Sequence, residues 1–318
     1  PTEETRSLST TSGMVDDMDG KRRVAQHWKK FWFEPVSGYP LAVFRIAFGL
    51  VMMANLLGQY LPHYLSFYGD GAMVSADAIY AHRWLNLPVF DLLFFLPSDS
   101  HSQLVFLYAT IFLNLLFILG LGTRLSTPLL FLFLLSLHNH CPIILHAGDN
   151  YSRLVLLFLS FSGGSCGRVL SIDRILSKDP EQSALIEPVA MRMIQLQFCF
   201  IYLINWLYKI CGPIWLEGSA VYYATRLTQY WRFDYPAFLD NALASRLLTW
   251  STLVVEAALV FLLWIPRTRS LMIIIGISFH LFLDLTFNLG VFEWFFIVTF
   301  LLFVDGSFYE KLFRIKDR

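Results

Sequence analysis

The chain has 318 residues, of which 56% are hydrophobic and only 15% are charged, and its formal net charge is zero. A soluble domain of this length carries a larger share of charged residues, so the composition predicts an all-α, polytopic transmembrane helical bundle. The balanced charge, without a basic stripe between stacking aromatics, also argues against nucleic acid as a partner.

Eight apolar runs approach the roughly twenty residues that a helix needs to cross a bilayer. They are, in chain order, Leu41–Gln59, Leu104–Leu121, Leu125–Leu145, Tyr151–Ser162, Pro188–Lys209, Leu247–Trp264, Leu271–Phe287 and Val291–Val304. The fourth run is short, and Pro142 is expected to kink the third near its end. We therefore predict a transmembrane domain over residues 31–305, preceded by a disordered basic arm over 1–30 and followed by a short basic tail over 306–318.

The distribution of basic residues predicts the topology. Both termini and the loops after the second, fourth and sixth runs hold most of the Lys and Arg residues, whereas the opposite loops hold Arg83, Arg226, Arg232 and Arg246. Because basic loops stay on the cytoplasmic side, both termini are predicted to be cytoplasmic, in agreement with an even number of spans. The expected location is the plasma or inner membrane if the protein is bacterial and the endoplasmic reticulum membrane if it is eukaryotic.

Two predicted outer loops are long enough to carry structure of their own. Leu61–Gln103 contains the apolar segment Pro88–Pro97, which is too short to span and indicates an interfacial or re-entrant helix. Gly212–Arg246 alternates aromatic and charged residues. We expect both loops to cap the outer mouth of the bundle.

Polar residues inside the predicted spans require a partner or a wet cavity, because ionisable groups are costly in hydrocarbon. They recur at helical spacing in the fifth and seventh spans, and one acid lies in the sixth: Arg192, Gln195, Tyr202, Asn205, Lys209, Glu256, His280, Asp284 and Asn288. Such stripes either line a cavity or form hydrogen bonds between packed helices. Spacing alone leaves both interpretations open.

Lys209 stands at the predicted outer end of the fifth span. An amine held at the edge of hydrocarbon loses hydration, which disfavours its charged form and makes it a candidate base. The alternative is a lysine that extends its ammonium group to the lipid headgroups.

The histidines and cysteines do not form a metal-binding motif. His138 and His140 are two residues apart and point to different helix faces, and the sequence contains neither His-Glu-x-x-His nor a paired Cys-x-x-Cys. No metal site is predicted. A disulfide between Cys141 and Cys211, both on the predicted outer side, stays open at this stage.

Several motifs occur together in a fixed order. The run around the candidate base contains Tyr202, Tyr208-Lys209, Gly212, Trp215, Gly218-Ser219-Ala220 and Tyr222-Tyr223. The others are Phe44-Arg45-Ile46 with Gly49, Gly148-Asp149-Asn150 with Arg153, Glu256, and Phe279-His280-Leu281 with Phe292 and Phe303. In this order and spacing, over most of residues 40–305, the chain resembles the vitamin K-dependent gamma-carboxylase family and its bacterial relatives, the HTTM (horizontally transferred transmembrane) proteins.

The resemblance implies a membrane enzyme that oxidises a quinol. In the carboxylases a lysine deprotonates vitamin K hydroquinone, oxygen adds, and the resulting strong base removes a proton from the gamma carbon of a substrate glutamate, which takes up carbon dioxide. Lys209 matches that lysine and His280 the family histidine, so both are expected to be catalytic. A vitamin K-like or menaquinol-like quinol is the expected cofactor, with oxygen and, if carboxylation is coupled, carbon dioxide. The expected cofactor-binding residues are Tyr202, Asn205, Trp215, Glu256, Asn150 and Asp284.

Three departures separate this chain from the carboxylases. They carry a histidine after the Asn of the fourth-span motif, whereas here Asn150 is followed by Tyr151, a difference that bears on the carbon dioxide step. They also have a large extramembrane C-terminal domain, so we expect any peptide or protein substrate on the outer side to be held by the outer loops or a partner. Asp284 matches no obvious family residue. The alternative prediction is a non-catalytic membrane module that binds a peptide or lipid partner.

Overall fold

The structure is a computed structural model that describes residues 22–73, 78, 90–177, 179, 183–233 and 240–313. Over these residues the chain is mostly helical, which confirms the all-α prediction. A two-stranded antiparallel sheet pairs β1, Val36–Ser37, with β2, Leu185–Ile186. The helices are α1 over 22–33, α2 Tyr39–Tyr68, α3 Ser100–Leu119, α4 Thr123–His140, α5 Ala147–Ser160, α6 Ile172–Leu176, α7 Val189–Ile210, α8 Pro213–Leu216, α9 Ala220–Ala224, α10 Ala242–Leu262, α11 Pro266–Thr286, α12 Phe292–Thr299 and α13 Gly306–Leu312.

Five helices of the described residues are long and apolar enough to cross a membrane: α2, α3, α7, α10 and α11. A sixth candidate is the bent pair formed by Phe292–Phe303 and α13, whose two parts meet at 93°. The chain is therefore a multi-pass membrane protein. The predicted number of eight spans stays a prediction.

The remaining predicted spans fall on short or polar helices. α4 begins with Thr123-Arg124 and ends with His138-Asn139-His140, so polar residues at both ends shorten its apolar stretch. α5 has 14 residues, and α12 has 8 before it continues as a 3₁₀ turn. Pro142 does not kink α4, because that helix ends at His140 and Pro142 opens a separate 3₁₀ turn.

Local sequence sets the bounds of the helices. Asp99 caps α3, since its carboxylate accepts the backbone N–H of Ser102 at 2.8 Å. Gly120 ends the same helix in the left-handed conformation at φ 67°, which glycine adopts without a steric penalty. These signals place α3 between two turns.

Five helices form a closed ring. α7 packs on α10, α10 on α11, α11 on α12, α12 on α5, and α5 on α7. α11 approaches the 3₁₀ turn Phe300–Phe303 closely at Gly276, where an added Cβ would lie 2.2 Å from the Phe300 ring. Outside the ring, α2 packs against α3 and α12. The ring encloses a cavity.

We call the end of the bundle at which α7 and α11 begin the basic end; it holds Arg45, Arg192, Arg269 and the small sheet. Arg45 is fully buried there, and it donates hydrogen bonds to the carbonyls of Cys166 at 2.6 Å and Leu170 at 2.5 Å. Residues 22–30, part of the predicted disordered arm, belong to α1, and residues 306–312 of the predicted tail form α13.

At the opposite end, the predicted loop Leu61–Gln103 is shorter than expected, because α2 continues to Tyr68 and α3 begins at Ser100. The predicted interfacial helix Pro88–Pro97 lies partly outside the described residues, and its described part contains a 3₁₀ turn, Leu93–Phe95. The second loop carries α8 and α9 and is held to the bundle by an antiparallel bridge between Trp231 and Phe287.

Candidate functional site

The ring of helices encloses a cavity of about 660 Å³. This volume lies in the range of roughly 300–1,000 Å³ that is typical of small-molecule sites. Most of its lining is apolar, and α5, α7, α11 and α12 supply it: Tyr151, Leu154, Phe200, Ile201, Ile204, Phe279, Leu283, Phe292 and Phe296. Lys209, Tyr202, Asn205, Glu256, His280 and Asn150 line the same cavity. Six of the eight predicted site residues therefore converge on one space.

The mouth of the cavity lies between α5 and α7. Lining residues of these two helices are exposed on the surface of the bundle: Leu154 on α5, and Phe200 and Ile204 on α7. Asn150 and Asn205 are the exposed polar residues of the lining, and each lies nearer than its apolar neighbours to the end opposite the basic end. The mouth is thus apolar toward the middle of the bundle and polar toward its end.

Lys209 and Glu256 form an ion pair at the wall of the cavity. The ammonium group of Lys209 contacts one carboxylate oxygen, Oε1, of Glu256, and the side chains are 22% and 6% exposed. The other carboxylate oxygen, Oε2, is buried and has no hydrogen-bond partner. The ring of Trp215 lies 4.8 Å from the Lys209 nitrogen, so it stabilises the charged form of the amine by a cation–π contact. Trp215 does not line the cavity; it covers the lysine.

A chain of three buried polar side chains reaches the cavity from α12. Glu293 contacts Nδ1 of His280, and Nε2 of that ring contacts the hydroxyl of Tyr202. With Glu293 ionised, its carboxylate can only accept, so the proton would lie on Nδ1 and Nε2 would accept the Tyr202 O–H. All three side chains are buried. The arrangement can pass a proton between Tyr202 and Glu293, which both line the cavity.

Two residues that line this cavity, Glu293 and Gln197, are not among those that the sequence patterns select. Glu293 is an acid within an otherwise apolar segment, and the rule that ionisable groups inside a membrane need a partner would have found it. Gln197 lines the cavity with both polar side-chain atoms buried and without a hydrogen-bond partner. An isolated glutamine on an apolar helix gives a weak sequence signal.

Asp284 lies outside the cavity lining, in contrast to the predicted role in cofactor binding. Its carboxylate accepts a hydrogen bond from Arg232 at 3.0 Å, and its backbone carbonyl accepts a second from the same guanidinium at 2.7 Å. The i+4 spacing from His280 places both residues on one side of α11, but the loop after α9 covers Asp284. Asp284 fastens that loop to the bundle.

The first turn of α5 separates this cavity from a second one of about 350 Å³. Ala147 and Asn150 face the first cavity, whereas His146 and Asp149 face the second. Asp149 accepts a hydrogen bond from the Asn55 amide at 3.0 Å. The residue that replaces the carboxylase histidine, Tyr151, shares a hydrogen bond of 2.8 Å with Thr299.

All four cysteines are free thiols, Cys141 buried and Cys211 exposed, so the structure contains no disulfide between them. In the described part of the chain, the His, Cys, Asp and Glu side chains form no group that could hold a metal ion. His140 instead pairs with Asp91 at 2.9 Å, and His138 lies 3.7 Å from Asp149.

Comparison with known proteins places the chain in a family. No solved structure matches it. The sequence model of the HTTM domain matches residues 33–308, nearly the whole chain and every element that lines the two cavities. This family is related to the vitamin K-dependent carboxylases. The chain belongs to the HTTM domain family.

Proposed function

We propose that this protein is a quinol-dependent membrane enzyme in which Lys209 removes a proton from a quinol hydroxyl. The observation that carries the proposal is the Lys209–Glu256 pair at the wall of a largely apolar cavity. The bound quinol would supply two electrons and two protons to oxygen, which would leave as hydrogen peroxide when the product is the quinone, or as one water and one epoxide oxygen when the product is the epoxide.

The residues present fit a prenylated quinol. The apolar lining suits an aromatic ring system, and the mouth between Leu154 and Phe200 would allow an isoprenoid chain to reach the lipid. Two buried polar groups without partners face the ligand space: the Gln197 amide can donate to a ring oxygen, and Oε2 of Glu256 can accept from a quinol hydroxyl. Asn205 and Asn150 would face the more polar end of the ligand.

Glu256 would prepare Lys209 for its role as a base. Two opposite charges in a poorly hydrated site are costly, so transfer of a proton from the ammonium to the carboxylate yields a neutral amine beside a neutral acid. The amine then accepts the proton of a nearby hydroxyl. The ammonium that forms balances the negative charge left in the cavity, and Trp215 stabilises it.

Tyr202, His280 and Glu293 would handle the second proton. His280 can take the Tyr202 proton on Nε2 while Glu293 stabilises the imidazolium through Nδ1. The three Phe rings in contact with His280 exclude water from this path: Phe279, Phe296 and Phe300.

The test is a turnover assay with purified protein, a menaquinol and oxygen, with the quinone and its epoxide resolved by chromatography. Lys209→Ala should lower the rate by about 100-fold or more. Lys311→Ala removes an exposed lysine of α13 and should leave the rate unchanged. Equal rates for wild type and Lys209→Ala would reject the proposal.

The same assay addresses the remaining predictions. Incorporation of labelled carbon dioxide into an added glutamate peptide would extend the activity to carboxylation. Carboxylation is tested separately because Tyr151 stands where the carboxylases have a histidine. A wild-type protein that binds the quinol and never consumes it would favour the alternative of a non-catalytic lipid-binding module.

A further inference from the structure

A third pocket, apart from the two cavities described above, lies at the basic end between the first turns of α7 and α11. It has a volume of about 160 Å³ and contains the side chains of Arg192 and Arg269. Arg192 and Gln195 belong to the polar stripe of α7, for which the sequence leaves open whether it lines a cavity or joins packed helices. The structure divides the stripe, because Tyr202, Asn205 and Lys209 line the large cavity and the first two residues line this pocket.

Arg192 has no carboxylate partner among the described residues. Its guanidinium donates to Oε1 of Gln195 at 2.9 Å and lies 4.9 Å from the ring of Phe31, while its Nε is buried without a hydrogen-bond partner. Gln195 is held in turn by a bond of 2.7 Å to the Leu302 carbonyl. A buried guanidinium nitrogen without an acceptor is costly, so the site favours an added oxyanion.

Arg269 adds a second positive charge to the pocket. It donates to the Leu263 carbonyl at 3.1 Å and to Asp305 at 2.8 Å, but Asp305 is 74% exposed, so water screens much of its charge. The two arginines repel each other. The lining of the pocket carries two guanidinium groups and one exposed carboxylate, so its positive charges outnumber its negative ones; beyond the lining, the carboxylate of Glu310 accepts a hydrogen bond from Ser37 at 2.7 Å.

The surroundings are those of a membrane interface. Both arginines lie in the first turn of a candidate spanning helix, and Trp264, an aromatic type enriched at the headgroup level, lines the pocket between them. α1, which carries Arg22, Arg23, Lys29 and Lys30, packs here through the contact of Phe31 with Trp264. A pocket between spanning helices that holds two arginines, of which Arg192 has no carboxylate partner among the described residues, matches the requirements of a phosphate headgroup.

We propose that Arg192 and Arg269 bind the phosphate group of an anionic phospholipid in the leaflet at the basic end. The guanidinium forks hold the phosphate oxygens, and the acyl chains lie along the lipid-facing surface of the bundle. This site is separate from the large cavity and does not depend on its proposed chemistry.

The test measures phospholipid binding to the detergent-purified protein by native mass spectrometry, with phosphatidylglycerol and phosphatidylcholine as probes. Wild type should bind phosphatidylglycerol in preference to phosphatidylcholine. Arg192→Gln and Arg269→Gln should each lose affinity for it by about fivefold. Arg267→Gln is the matched control, since it removes an exposed arginine of the same helix turn that does not line the pocket.

Four outcomes would overturn the proposal. Equal binding of the two lipids by wild type would show that the pocket does not select a negative headgroup. Unchanged affinity for phosphatidylglycerol in both pocket variants would show that the lipid does not bind in this pocket. An equal loss of affinity in the Arg267→Gln control would show the same. Displacement of phosphatidylglycerol by inorganic phosphate at matching concentrations would assign the site to free phosphate rather than lipid. Because the two pocket variants are made separately, a folding defect in one leaves the other as a test.

Discussion

The ammonium group of Lys209 lies against the carboxylate of Glu256, at the wall of a cavity that opens between α5 and α7. Lys209 ends one helix and Glu256 lies in the next helix of the ring, so their contact depends on the packing of α7 against α10. A lysine directed to the headgroups would not make this contact. The pair therefore gives the amine a proton acceptor beside a space for a ligand.

Loss of the acid should impair the amine. Glu256→Gln keeps the size of the side chain but cannot take the ammonium proton, so we expect quinol turnover to fall by about tenfold to 100-fold while quinol binding changes little. The measurement is kcat and KM for wild type and variant. Glu217→Gln, at an exposed residue of the loop after α8, should match wild type. A Glu256→Gln enzyme as fast as wild type would show that Glu256 takes no part in proton transfer.

The contacts Tyr202–His280–Glu293 should act as one unit. Tyr202→Phe and Glu293→Gln each interrupt the chain, so each single variant should lower kcat by about tenfold or more, and the double variant should be little worse than either. A double-mutant cycle on kcat measures this coupling. Fully additive losses would mean that the two residues act independently.

The mouth of the cavity should control access of the isoprenoid chain. Leu154→Trp places a larger side chain at the exposed edge of the lining, so KM for a long-chain quinol should rise several-fold, with less effect on a short-chain quinol. Leu207→Trp makes the same change at an exposed site of α7 outside the lining. Equal effects of the two substitutions would indicate access by another route.

Asp284 should matter for the position of the loop after α9 and not for the ligand. Asp284→Asn weakens the contact with Arg232, so the loop after α9 should be cleaved faster by protease while KM for quinol stays unchanged. The measurement compares cleavage rates and KM in the same preparation. A rise in KM without faster cleavage would restore the role in cofactor binding that the sequence predicts for Asp284.

Cys166, in the turn after α5, should resist alkylation. Burial raises the pKa of its thiol, so the reactive thiolate is scarce near neutral pH. A maleimide should label exposed Cys211 first, and a Cys211→Ser variant should label only after unfolding.

The raised pKa of the Cys166 thiol also makes the stability of the fold depend on pH. The neutral Cys166 thiol is favoured by folding, so its contribution is complete below the unfolded pKa of roughly 8.5 and is lost as pH rises above it. Unfolding temperature should therefore fall less steeply at high pH in Cys166→Ala than in wild type. An identical pH dependence would contradict the raised pKa.

The sequence predicts the class and much of the site because both depend on local patterns. Apolar runs show that the protein is helical and crosses a membrane, and the spacing of Tyr202, Asn205 and Lys209 places them on one face of α7. Glu256 and His280 come from other helices, and the cost of ionisable groups in hydrocarbon is enough to select them.

Other features depend on tertiary contacts that spacing does not contain. Asp284 shares a side of α11 with His280, yet Arg232 comes from a distant loop and takes its carboxylate. The polar stripe of α7 looks continuous in sequence but is split between two pockets, because neighbouring helices close over its middle.

Chemical rescue of Lys209→Ala shows whether the amine of Lys209 is the base. If the missing amine is the base, methylamine added to this variant should restore quinol oxidation in proportion to its concentration, whereas tetramethylammonium, which has no free electron pair, should not. We expect Lys209→Ala to be inactive and to be rescued by methylamine alone. Full activity in Lys209→Ala without any added amine would contradict it.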